Sequence, residues 1–89
     1  MDKELLLKQI DNLFLELGFS KISINNKITY FKEEEYIRVD YINGFESFVL
    51  EYAQGIEEAL NNVFEDGDLY PIKLGINEII EMMKIDLLK

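Results

Sequence analysis

The chain has 89 residues, no cysteine and no histidine, and it carries 18 acidic against 9 basic residues, for a formal net charge of −9. A chain of this length makes one domain, 1–89, and its apolar content of 48% is enough for a modest core. The missing residue types exclude disulfides, thiolate nucleophiles, histidine metal sites and Ser-His or Cys-His catalytic pairs. The acidic excess argues against direct binding to nucleic acid or to anionic membranes, because both require Lys and Arg.

The N-terminal segment predicts an amphipathic helix over Lys3–Leu17, with Asp2 as its N-cap. Gly18 stands where a left-handed C-terminal cap is expected. The start of the chain does not have the pattern of a signal peptide, and no stretch reaches the roughly 20 apolar residues of a transmembrane helix. We therefore expect a cytoplasmic protein. The apolar stripe of the helix comprises Leu6, Ile10, Leu13, Phe14 and Leu17.

Two hairpins are predicted next. The first joins Lys21–Ile24 to Lys27–Lys32 through a tight turn at Asn25-Asn26, since both segments are rich in β-branched and aromatic residues. The second joins Tyr36–Ile42 to Phe45–Tyr52 through Asn43-Gly44, the dipeptide typical of a two-residue type I′ turn. That turn predicts the pairs Ile42 with Phe45, Val39 with Phe48 and Ile37 with Leu50.

The C-terminal third predicts a short helix over Ile56–Phe64, an exposed acidic loop over 65–68, and an extended segment over 69–72. A last helix is expected over Glu78–Leu88 with Asn77 as its N-cap. The element order is α-β-β-β-β-α-α. The sequence thus predicts an α+β domain in which an antiparallel meander of three to four strands packs against an N-terminal helix and C-terminal helices.

The negative charge is unevenly distributed. Between Arg38 and Lys73 there are eight acidic residues and no basic one, whereas the flanking segments are nearly balanced. A surface of one sign favours association with a basic protein, such as a toxin domain or a nucleic-acid-binding protein, and aromatic residues in the segment would add contact area. Plain solubility is the alternative explanation of the charge, and core packing is the alternative for the rings. The predicted partner-binding residues are Glu57, Glu58, Glu65, Asp66, Asp68, Phe45 and Tyr70.

No motif indicates catalysis. The run Glu65-Asp66-Gly67-Asp68 offers three carboxylates, whereas Ca²⁺ takes six to eight oxygen ligands, so a solvated turn is the better interpretation. The glycines form no phosphate-binding motif, and so small a domain leaves little room for a substrate cleft. We expect no catalytic residue, no metal, no cofactor and no enzymatic activity.

The segments Glu51-Tyr52-Ala53, Glu57-Glu58-Ala59 and 64–71 resemble small acidic immunity-type proteins of Gram-positive bacteria, which neutralise a toxin made beside them. Phage-encoded inhibitors share this small acidic format. The resemblance implies a stoichiometric inhibitor that occludes a basic site on its target. The alternative is a structural domain without catalytic activity that self-associates through edge strands or through the face of the second hairpin that mixes apolar and polar residues. Homodimerisation through that face would bury Tyr36, Phe45 and Val49.

Overall fold

A computed structural model describes residues 2–89 as five antiparallel strands and three α-helices. Neighbouring strands in the sequence are neighbours in the sheet, so the α+β class and the meander are confirmed. The strand count is five, not three to four. The elements are α1 (Lys3–Glu16), β1 (Ser20–Ile24), β2 (Lys27–Lys32), β3 (Glu35–Ile42), β4 (Ser47–Gln54), α2 (Gly55–Leu60), β5 (Glu65–Pro71) and α3 (Ile76–Leu87).

The N-terminal helix forms as its sequence predicts. The Asp2 carboxylate accepts a hydrogen bond from the Leu5 amide at 3.1 Å, which satisfies one of the free N–H groups of the first turn. Gly18, with φ of 93°, ends the helix in the conformation that glycine adopts without strain. Of the predicted stripe, Leu17 is half-buried and the other four residues are buried.

The main core lies between the sheet and the two longer helices. Helices α1 and α3 pack on one face, whereas α2 lies on the other face against β3 and β4. The buried residues of the main core are Leu6, Ile10, Leu13, Phe14, Phe19, Tyr30, Ile37, Phe48, Leu50, Tyr70, Ile79 and Met83.

The first hairpin has the predicted two-residue turn, and its tip leans over the face of the sheet on which α2 lies. Asn25 and Asn26 have φ of 53° and 65°, as a type I′ turn requires. The Asn25 side-chain amide donates to the Leu60 carbonyl oxygen at 3.2 Å, and Ile24 packs with the alanines of α2 and β4. This attachment draws the hairpin away from β3, and the β2–β3 ladder therefore contains only three residue pairs, from Lys32 opposite Glu35 to Tyr30 opposite Ile37.

The predicted register of the second hairpin is wrong by two residues. Residues 43–46 form the connection, with a 3-10 turn over 43–45 and Glu46 at φ 44°, whereas Gly44 does not have the positive φ that a type I′ turn requires. Ile42 therefore pairs with Ser47, and Val39 with Leu50. A shift of two keeps every side chain on its predicted face, so the apolar pattern alone could not decide the register.

Three further predictions are corrected in the C-terminal half. Helix α2 ends at Leu60 because Asn62 adopts φ of 61° and closes a Schellman motif, in which the Val63 amide donates to the Glu58 carbonyl at 2.8 Å. Residues 65–68 form the start of β5, not a loop. Helix α3 begins at Ile76, so Asn77 lies in its first turn and Gly75 takes the N-cap position.

Candidate protein-binding surface

Strand β5 is an edge of the sheet, and it presents three of the predicted acidic residues to solvent. Glu65 lies opposite Tyr52 and Asp66 lies opposite Glu51, whereas Asp68 lies in the stretch where the register shifts. All three carboxylates are exposed. The backbone of an edge strand pairs on one side only, and charged side chains on it discourage pairing with another chain.

A bulge bends this acidic edge at Gly67. Val49 pairs with Leu69 and Glu51 with Asp66, so β5 contains one more residue than β4 over the same length. A Cβ atom on Gly67 would lie 2.6 Å from Cε2 of Tyr52, closer than carbon atoms can approach. The close packing of Tyr52 against the bulge therefore requires glycine.

The other two predicted acidic residues belong to α2. Both Glu57 and Glu58 are exposed, but the Glu58 side chain also accepts a hydrogen bond from the Gln54 amide at 2.8 Å. Glu58 therefore stabilises the start of the helix as well as contributing charge. The five residues Glu57, Glu58, Glu65, Asp66 and Asp68 are called the acidic surface below; it runs around the β5 edge of the sheet, since Glu65 and Asp66 are successive strand residues and lie on opposite faces.

No ion pair neutralises the acidic surface within residues 2–89. The salt bridges in this part of the chain join Lys21 to Asp11, Arg38 to Glu51 and Lys89 to Asp86. Arg38 is the one basic residue of β3, β4 and β5, and its side chain is directed to Glu51. The carboxylates of the acidic surface are consequently not neutralised by a cation within these residues.

The two predicted aromatic contacts do not join this surface. Tyr70 is only 1% exposed, and its hydroxyl donates to the Asp86 carboxylate, so it is a core residue and has no surface to offer a partner. Burial and the Asp86 carboxylate raise the pKa of that hydroxyl well above its usual value. Phe45 is 68% exposed, but it lies beyond Ser47, which pairs with Pro71 at the end of β5 opposite to Glu65.

The arrangement around Arg38 is the feature that sequence reasoning missed. Arg38 is 5% exposed, with Nη1 donating to Asn62 Oδ1 at 2.6 Å and Nε lying 3.6 Å from Glu51 Oε1. Burial raises the pKa of Glu51, the cations of Arg38 and Lys27 lower it in part, and the carboxylates of Asp40 and Asp66 raise it further. The signal available in the sequence was a lone basic residue in an acidic stretch, which is typical of an internal ion pair.

The face predicted for a homodimer is largely covered. Val49 is 1% exposed, and Tyr36 is half-buried and stacked on Phe31 with ring centres 5.6 Å apart. Of the three residues predicted for that interface, Phe45 alone is exposed. Val49 therefore cannot form part of a dimer contact in this structure.

Within residues 2–89, no three acidic side chains converge in a geometry that could hold a metal ion. The helices of this part of the chain are all too short or too polar to cross a membrane.

A scan against protein-family models gives no match for this chain, and searches of curated proteins and of solved structures give no significant match either. Function therefore has to be inferred from the residues of the chain itself.

Proposed function

We propose that this chain is a small protein-binding domain that engages a basic site on a partner protein through its acidic surface, as an inhibitor of the immunity type would do in the cytoplasm. The observation that carries the proposal is that five exposed carboxylates lie on β5 and α2 without a single ion pair within residues 2–89. Like charges held together raise the electrostatic energy of the fold, and a cationic partner relieves that repulsion on binding.

The proposed mechanism is occlusion. A protein that binds phosphates or acidic substrates presents Lys and Arg in its site, and carboxylates on a rigid edge strand can occupy the positions of those anions. Because β5 is fixed by its ladder with β4, the backbone positions of Glu65 and Asp66 are held in place before binding. A rigid surface loses less conformational entropy on association than a flexible acidic loop would.

The test is a capture experiment from the lysate of the organism that encodes the chain, with three tagged baits. The first is the wild type, and the second is Glu57→Lys/Glu65→Lys/Asp68→Lys, which reverses the charge of the acidic surface. The third is the matched control Glu16→Lys/Glu78→Lys/Glu81→Lys, which changes the net charge by the same amount at exposed positions on α1 and α3.

We expect a basic protein to be captured by the wild type and the control at about 50 mM salt, and to be lost at about 500 mM salt, where charges are screened within a few ångströms. The variant of the acidic surface should not capture it. Equal capture by all three baits would contradict the proposal. Loss of capture by both variants alike would also contradict it, because binding would then depend only on total net charge.

A further inference from the structure

A groove of about 560 Å³ separates β2 from β3 beneath α1. If the β2–β3 ladder continued past Tyr30 and Ile37, Ile28 would lie opposite Val39 and Lys27 opposite Asp40. These pairs are not made, and all four of their residues line the groove instead. The groove is thus the space left by an unfinished ladder.

The gap has a structural cause. The tip of the first hairpin is attached to the opposite face of the sheet by the hydrogen bond from Asn25 to Leu60 and by the packing of Ile24 on Ala53 and Ala59. Closing the ladder would pull Ile24 out of that cluster. The groove is therefore maintained by contacts outside its own walls.

The β3 side of the groove is a free strand edge. Residues 38–42 of β3 pair with β4 on one side, and within residues 2–89 no strand pairs with them on the other. The Tyr41 backbone amide donates to the Asp40 carboxylate at 2.8 Å, whereas no such bond occupies Val39 within the same residues. Half of the backbone N–H and C=O groups of a strand point to each side, and unpaired ones form a template for an added strand. An extended peptide satisfies such an edge by β-augmentation. The groove volume also lies within the range of about 300–1,000 Å³ typical of ligand sites.

The side chains of the groove indicate what such a peptide would carry. Four of the chain's nine basic residues line it, together with three acidic ones, in a protein of net charge −9. Lys21 pairs with Asp11 and Arg38 with Glu51, which leaves Lys8 and Lys27 without an ion pair within residues 2–89 and Asp40 as the remaining carboxylate. The Nε atom of the buried Arg38 side chain, also in the wall, makes no hydrogen bond within residues 2–89, but it lies 3.6 Å from Glu51 Oε1 in an ion pair. Apolar surface is provided by Ile28, which is 60% exposed, and by Val39.

We propose that this groove binds an extended peptide segment of a partner protein, with alternating apolar and acidic residues, as an added strand on the free edge of β3. Its apolar side chains contact Ile28 and Val39, and its carboxylates lie near Lys8 and Lys27. The site is separate from the acidic surface and of opposite charge preference, so it does not depend on the function proposed above.

The test is a selection of binders from a random heptapeptide display library on the folded, immobilised wild-type protein. Enriched peptides should combine Asp or Glu with β-branched or aromatic residues at alternating positions. On titration with one such synthetic peptide, the backbone amide resonances of ¹⁵N-labelled protein should shift mainly within 27–30 and 37–42. No enrichment, enrichment of basic peptides, or shifts confined to β5 and α2 would overturn the proposal.

Two charge-reversed variants test whether the cations of the groove contribute to peptide binding. Lys8→Glu/Lys27→Glu reverses the two unpaired cations of the groove and should weaken peptide binding at least tenfold. Lys73→Glu/Lys84→Glu makes the same change of net charge at exposed positions outside the groove and should leave binding within twofold. Equal weakening by both variants would overturn the proposal. Self-association of the free protein that shifts the same amide resonances would also overturn it, and would identify a second copy of the chain as the occupant. The charge-reversed variant of the acidic surface should bind the peptide normally, which separates this test from that of the proposed function.

Discussion

The guanidinium carbon of Arg38 lies 3.7 Å from the centre of the Phe64 ring. Phe64 immediately precedes β5, the strand that carries three of the acidic residues. The same guanidinium donates to Asn62, whose left-handed conformation follows the end of α2. Arg38 thus joins β3 to the segment between α2 and β5. Because its charge is directed inward to Glu51, it is not available to neutralise the acidic surface.

Replacement of Arg38 by Met should lower the free energy of unfolding by about 3 kcal/mol, because the half-buried Glu51 carboxylate would be left without its cationic partner. Urea denaturation at pH 7 measures this. Lys73→Met, at an exposed position, is the control and should change stability by less than about 0.5 kcal/mol. A loss for Arg38→Met as small as that of the control would show that the interactions of Arg38 contribute little to stability.

The effect of Glu51→Gln on stability should depend on pH. The pKa of Glu51 is raised in the folded state, chiefly by burial, so folding disfavours its ionised form. As the pH falls from 7 toward the unfolded value of 4.5, the wild type should become more stable relative to Glu51→Gln, because protonation removes the penalty of the buried charge. Denaturation of both proteins at pH 7, 6 and 5 gives the slope; the opposite slope would contradict a raised pKa.

Tyr30→Phe isolates a hydrogen bond with a carboxylate. The Tyr30 hydroxyl donates to Asp11 Oδ1 at 2.7 Å, and this bond is the main cause that lowers the pKa of Asp11. The variant keeps the stacking on Phe14, with ring centres 4.1 Å apart, and should lose about 1–2 kcal/mol at pH 7.

That loss should shrink as the pH falls below the unfolded value of 3.8, because the benefit of an ionised Asp11 disappears as it is protonated in the fold. Tyr41→Phe is the control, since the Tyr41 hydroxyl makes no side-chain hydrogen bond within residues 2–89. A pH-independent loss for Tyr30→Phe would assign the effect to packing instead.

Gly44→Ala decides between the two registers of the second hairpin. In this structure Gly44 does not have a positive φ, and a Cβ atom there would meet nothing within 4 Å, so alanine should be neutral or stabilise by up to about 1 kcal/mol. In a two-residue type I′ turn the same change would cost about 1 kcal/mol or more, since both central residues would need positive φ. Gly67→Ala is the contrasting variant and should be clearly destabilising, because its Cβ atom would collide with Tyr52. Thermal unfolding of the two variants against the wild type measures both effects.

Elements with a local signal at each end could be predicted from the sequence. Asp2 and Gly18 bracket α1, and Asn25-Asn26 sets the first turn. The register of the second hairpin could not be predicted, because two registers that differ by two residues put the same side chains on the same faces. The observed one places Arg38 opposite Glu51, a pairing that the predicted one would replace with Val49.

The residues of the acidic surface were predicted from the sequence, but the secondary structure that carries them was not. Charge and Gly67 favoured a loop over 65–68, whereas the backbone ladder with β4 forms a strand there, because an edge strand can leave its carboxylates in water. The cap made by Glu58 and the burial of Tyr70 depend on tertiary contacts. The groove beside β3 had no local signal either, because it results from the lean of a hairpin that is attached elsewhere.

Binding through the acidic surface should make the rate constant for association with the captured basic protein depend on salt, and stopped-flow kinetics measures that dependence. For the wild type and the control Glu16→Lys/Glu78→Lys/Glu81→Lys, we predict a fall of at least tenfold between about 50 and 500 mM salt. For Glu57→Lys/Glu65→Lys/Asp68→Lys, we predict slow association at low salt and little further change. A wild-type rate that is insensitive to salt, or a salt dependence that the acidic-surface variant retains in full, would contradict binding through that surface.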